Sequence, residues 1–125
     1  MFYRLHYILA CCTRINVSLS GDANKYTGSM AGIYYMQSGF SNGQRYWMSP
    51  EGNAIWNVND ETDAGLVWAI APSKDLGSIY FSLYLPIKDP SRECPSDDLL
   101  PKWQYYTENG AVEEVNNNVL VECLP

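Results

Sequence analysis

Few side chains in this sequence could do chemistry, and they are scattered. His6 is the only histidine, so any Ser-His-Asp or Cys-His relay would depend on one base that has no partner type nearby in the chain. Such relays need nucleophile and base within hydrogen-bond reach. Paired carboxylates are the other option, and Asp60, Glu61, Asp63, Asp97 and Asp98 are the candidates. Glycoside hydrolysis uses two such acids across a cleft, but these sit in hydrophilic, turn-like segments where carboxylates are ordinarily solvated. The run Asn57-x-Asn59-x-Glu61-x-Asp63 places oxygen ligands at alternate positions, as calcium loops do. It lacks the glycine midway and the bidentate acid that closes such a loop, so it reads as a hairpin loop. No Gly-rich phosphate loop follows a strand pattern. The expectation is a non-enzymatic protein without cofactor or metal.

Four cysteines, Cys11, Cys12, Cys94 and Cys123, come without a CxxC spacing or a useful histidine, which disfavours zinc and favours disulfides. Adjacent cysteines on a strand face opposite sides, so Cys11 and Cys12 are not expected to bridge each other. Cys94 and Cys123 bracket a proline-rich loop and the last hairpin, and closing that ring would contribute roughly 3–4 kcal/mol; the expected pair is Cys94–Cys123, with Cys11 or Cys12 open to another chain. Asn16-Val17-Ser18 is an N-glycosylation sequon. Bridges and sequon together imply secretion and an N-linked glycan on Asn16.

The chain is 125 residues long, 46% hydrophobic and 18% charged, with net charge -6, which supports one packed domain. Its eight Lys and Arg residues are spread singly, so no basic stripe exists for a phosphate backbone or an anionic lipid surface. Nucleic acid and membrane are not expected partners. The longest apolar run, Tyr7 to Cys12, is far below the ~20 residues that span a bilayer.

The first residues combine Arg4 with a short apolar centre, the layout of a signal peptide. That centre is minimal and no small-x-small cleavage site follows, so the segment is read as part of the mature chain. Tyr3, Leu5, Tyr7, Leu9, Cys11, Thr13, Ile15, Val17 and Leu19 occupy the odd positions, while Arg4, His6, Arg14, Asn16, Ser18 and Ser20 fall on even ones. This period-two alternation describes one long strand with an apolar face. At ~3.3 Å per residue it would reach on the order of 55 Å, beyond a domain of ~30 Å. Residues 1–16 are therefore expected to form an arm, and 17–125 a single β domain. Tyr3, Leu5, Tyr7, Leu9, Cys11 and Ile15 are the residues expected to complete the sheet of a neighbouring copy by strand addition. The alternative, left open here, is a bend that returns the arm as an edge strand of its own domain.

After Gly21 short apolar runs alternate with turn residues about every ten positions. Strands are expected near Ile15–Ser20, Gly32–Gln37, Gln44–Ser49, Asn53–Val58, Leu66–Ala71, Ser78–Leu83, Trp103–Tyr106 and Val119–Cys123. Ser41-Asn42-Gly43 and Glu51-Gly52 supply the positive φ angles of tight hairpins, and Asn109-Gly110 marks another. Prolines keep residues 86–101 out of regular ladders, and helical periodicity is missing. The fold class is all-β, an antiparallel sandwich-like domain. Aromatics make up 14% of the chain. By alternation Tyr46 and Met48 share one face and Trp47 takes the other, so some aromatics are exposed or at an interface unless both sheet faces are covered. Trp47 and Trp56 are the candidates for stacking on a sugar ring.

The order Gly32-x-Tyr34, Asn42-Gly43, Tyr46-Trp47, Gly52, Ile55-Trp56, Trp68-x-Ile70, Cys94-Pro95, Trp103-x-Tyr105 and Val119-x-Val121-x-Cys123 resembles a small secreted β-module of extracellular proteins of protists and marine invertebrates. The sequon and the overhanging arm also make the chain similar to subunits of glycosylated extracellular fibrils from natural water. The resemblance implies no catalytic residues. Its expected function is a structural subunit that self-associates into an extracellular filament or matrix, a homo-oligomer or helical polymer. A lectin-like carbohydrate-binding module is the alternative.

Overall fold

β1 (Arg14–Leu19) displays the rule that organises the chain. Ile15 and Val17 are buried, whereas Arg14 and Ser18 face solvent, because successive strand side chains point to opposite faces. The computed structural model describes residues 11–61, 65–89, 94–96, 103–107, 112–114 and 118–125.

The other strands are β2 (Gly32–Met36), β3 (Trp47–Met48), β4 (Asn53–Asn59), β5 (Leu66–Pro72), β6 (Leu83–Pro86), β7 (Gln104–Tyr106), β8 (Val112–Glu114) and β9 (Val119–Cys123). They form one sheet in the order β8-β7-β6-β5-β4-β3-β2-β1-β9, every neighbouring pair antiparallel. The all-β antiparallel domain is thus as expected, and its two sides come from one sheet curled on itself.

Chain length dictates the curl. β8 and β9 lie at opposite edges of the sheet, yet four residues join them. Five Cα steps reach at most ~18 Å, whereas a flat sheet of this width would hold its edges ~38 Å apart at about 4.8 Å per strand. The edges must meet. β8 is bonded to β7 and β9 to β1, so the sheet curls into an open barrel with these two strands at its edges.

One side-chain set fills the interior: Ile15, Val17, Tyr34, Trp47, Ile55, Trp68, Ile70, Leu83, Leu85, Trp103 and Tyr105 form a single buried cluster drawn from nearly the whole sheet. Trp47 and Trp68 meet edge to face at 5.9 Å, an arrangement worth about 0.5–1.5 kcal/mol beyond burial. The alternate residues Ala54, Trp56, Val58, Val67, Ala69, Ala71 and Tyr84 form a second buried cluster on the outer face. Tyr46 and Met48, at and just before β3, pack against it, as do Leu76 and Phe81 from the segment between β5 and β6. The Trp56 indole N–H donates to the Ser78 carbonyl at 3.1 Å, and the Asn42 amide donates to the Asn57 carbonyl at 2.8 Å. Both faces of β4 and β5 are buried, so the expected split of Trp47 from Tyr46 and Met48 places aromatics in two separate cores.

This covering corrects one strand. Ser78–Leu83 was expected to be extended, but pairing with β5 begins only at the Ser82 N–H, and β6 starts at Leu83. The preceding residues roof the outer core instead. A short helix was also unexpected: α1 (Gly21–Thr27) follows β1, with Asp22 in its first turn and Lys25 in its last, as its dipole favours. It buries Ala23 and Thr27, and Tyr26 stacks on Tyr105 of β7 at 6.1 Å. Seven residues are too few to show a helical period. α1 plugs one end of the barrel.

The opposite end is tied by disulfides, Cys11–Cys94 and Cys12–Cys123. The expected Cys94–Cys123 bridge is therefore wrong. The two adjacent cysteines at the root of β1 each take a different partner, as side chains aimed in opposite directions must. Pro95 is fully buried between the bridged cysteines' segments, and the Trp47 indole donates to the Cys12 carbonyl at 2.9 Å. The expected turns at Asn42-Gly43 and Gly52 are present, with Asn42 at φ 54°, Gly43 at 81° and Gly52 at 92°; Asn109-Gly110 lies outside the described residues.

Candidate functional site

N-terminal to β1 the sequence keeps its apolar alternation back to Tyr3, in residues that lie outside the described ones. On one side the last bond is from the Met36 N–H to the Thr13 carbonyl; on the other it is from the Leu124 N–H to the Arg14 carbonyl. These are the last such bonds among the described residues. Immediately before the ladder, Cys11 and Cys12 are half-buried against the inner core and both are bridged within the chain. The root of the arm is thus fixed at one end of the barrel.

Of the residues assigned to assembly, Tyr3, Leu5, Tyr7 and Leu9 lie outside the described residues. Cys11 and Ile15 do not belong with them. Cys11 is spent in a disulfide, and Ile15 is completely buried in the chain's own core. β1 is integral to the sheet, so residues 11–16 belong with the body rather than with an arm.

Trp47 and Trp56 are also corrected. Both are 0% exposed, so neither presents a ring face to a sugar. Aromatics that do reach solvent include Phe40, Tyr35, Tyr80 and Tyr106. The Arg45 guanidinium lies 4.4 Å over the Phe40 ring. On the outer face the rings of Phe81, Tyr84 and Tyr106 form a row, with centroids 5.4 and 5.8 Å apart. Burial raises the Tyr84 phenol above its ordinary pKa, with Tyr106 and Asp60 adding to the shift. Burial and then Asp60 do the same for Tyr106. Phenols and a carboxylate therefore share one low-dielectric patch. Alternation along β6 and β7 carries the signal for it, because Tyr84 and Tyr106 both oppose the inward Leu83 and Tyr105.

Asn16 lies on the outward face of β1, opposite Ile33 and Glu122 in the flanking strands, and its amide donates to Ser18 Oγ at 2.8 Å. Asp60 is buried beside the tyrosines, Glu61 is exposed, and Asp63, Asp97 and Asp98 lie outside the described residues. His6 lies outside them as well. The alternating oxygen run diverges: Asn57 points into the barrel, while Asn59 Oδ1 accepts the Glu61 N–H at 2.8 Å. That segment is the β4–β5 hairpin loop. Among the described residues no group of three or more His, Cys, Asp or Glu could hold a metal ion, and no helix is long and apolar enough to cross a membrane. A shallow depression of ≈ 290 Å³ beside Glu51, lined by Gly32, Ile33 and Tyr35, opens on the outside of the barrel.

No family model, curated protein or solved structure matches this chain.

Proposed function

We propose that this protein is a secreted structural subunit, N-glycosylated at Asn16, that associates with copies of itself through residues 1–10. The observation that carries the reading is that the β1 ladder reaches Thr13 and Arg14 at the limit of the described residues while the apolar alternation continues back to Tyr3. A strand that continued β1 in that direction has no ladder partner among the described residues, and a second copy can supply one. Two disulfides fit an oxidising compartment such as the extracellular space. The plugged barrel and buried tryptophans support a scaffold rather than a container.

Sedimentation velocity of the full chain against residues 11–125, which keep all four cysteines, tests this. The full chain is expected to form higher oligomers and the shortened one to remain monomeric. Identical distributions would overturn the reading. They would leave carbohydrate binding as the second reading, which the Phe81, Tyr84 and Tyr106 row beside Asp60 favours, since rings stack on sugar faces and a carboxylate accepts hydroxyl hydrogens.

A further inference from the structure

β9 is bonded on one side. Its ladder with β1 runs from Leu19↔Val119 to Ile15↔Cys123, flanked by bonds from the Ser20 N–H to the Asn118 carbonyl and from the Leu124 N–H to the Arg14 carbonyl. Antiparallel ladders alternate bonded and non-bonded pairs, so Leu120 and Glu122 also bond β1. The N–H and C=O groups of Val119, Val121 and Cys123 therefore point the other way. Among the described residues no strand pairs with β9 there. Val119 and Val121 pack toward the inner core, while Leu120 is 51% exposed and Glu122 faces solvent. An edge this apolar, carrying a single charge, is a template for another strand.

We propose that this edge of β9 is the acceptor for residues 3–7 of a second copy. The inference rests on the assembly reading and names its surface. The committed register is antiparallel, with Leu5 of the second copy opposite Val121 and Tyr7 opposite Val119. The incoming apolar residues then line up with the inward face of β9, and its polar ones with the outward face. Arg4 of the second copy falls beside Glu122, opposite charges directly across two strands. Length and charge agree: a five-residue edge receives a five-residue stretch of matching alternation.

The test uses complementary copies. Val121→Pro removes an N–H that the β1 ladder does not use, a substitution edge strands accept, so this copy can donate but not accept. Residues 11–125 can accept but not donate. Each is expected to be monomeric alone, and the mixture is expected to give a one-to-one heterodimer by native mass spectrometry. If the full-length Val121→Pro chain assembles like the unmodified protein while residues 11–125 do not, the acceptor is elsewhere and only this inference fails. If residues 11–125 assemble, the assembly reading itself fails. Circular dichroism checks the fold of the proline variant, and a charge pair provides a route that leaves the backbone alone. Glu122→Arg is expected to weaken association roughly fivefold at low salt, and Arg4→Glu in the same chain to restore it. Absence of that recovery would overturn the register.

Discussion

Tyr34 concentrates several physical effects in one side chain. Its ring is completely buried in the inner core, and its hydroxyl donates to the Met30 carbonyl at 2.5 Å, tying β2 to the turn before it. Burial pushes the phenol well above its ordinary value of 10.0, the Glu51 carboxylate pushes it further, and a hydrogen bond with Asn53 partly opposes them. A raised folded-state pKa favours the protonated form in the fold. Its stabilising share is fully present below the unfolded value of 10.0 and is lost as pH climbs toward the folded value. The urea midpoint should therefore fall steeply above pH about 10. Tyr34→Phe should lose about 1 kcal/mol at neutral pH with the hydrogen bond, then show a shallower alkaline fall; equal slopes would contradict this account. At this scale the sequence is informative about which face a residue takes and uninformative about whether that face is covered. Trp47 and Trp56 illustrate the gap: their opposite directions follow from alternation, but a sugar platform and a second core have the same sequence pattern.

Among the elements, strands with strong alternation or β-branched runs are legible, and those held by distant contacts are not. β4, β5 and β9 fall where turn residues and apolar runs place them. β6 is displaced because Leu76 and Phe81 are recruited over the outer cluster, a tertiary demand with no local signature. α1 is missed because its buried stripe amounts to Ala23, Tyr26 and Thr27. The disulfides are the clearest lesson. Ring closure alone favours Cys94 with Cys123, but with Cys11–Cys94 formed, Cys12–Cys123 closes a ring of only about thirty residues through the first bridge, worth about 3–4 kcal/mol, and anchors three segments at once. Trypsin without reduction should then yield one species joining peptides 5–14, 93–102 and 103–125. A two-peptide species of 93–102 with 103–125, leaving 5–14 free, would contradict the pairing.

For the whole molecule, closure was not legible in the sequence. It depends on β8 being bonded to β7 and β9 to β1 at the two edges of one sheet although four residues join them, and no local pattern announces that. The consequence is an open barrel whose ends are filled by α1 and by the bridged cysteines, and whose β1 ladder reaches no further than Thr13 among the described residues. The assembly reading follows from that last feature, since the N-terminal alternation has no ladder partner among the described residues and can be taken up by another copy. The most direct test places a photo-crosslinking residue at Tyr7 in an equimolar mixture of isotopically light and heavy protein. The account predicts adducts that join the arm of one isotope to the body of the other. Adducts that are all isotopically pure would show an arm returning to its own barrel, and would contradict it.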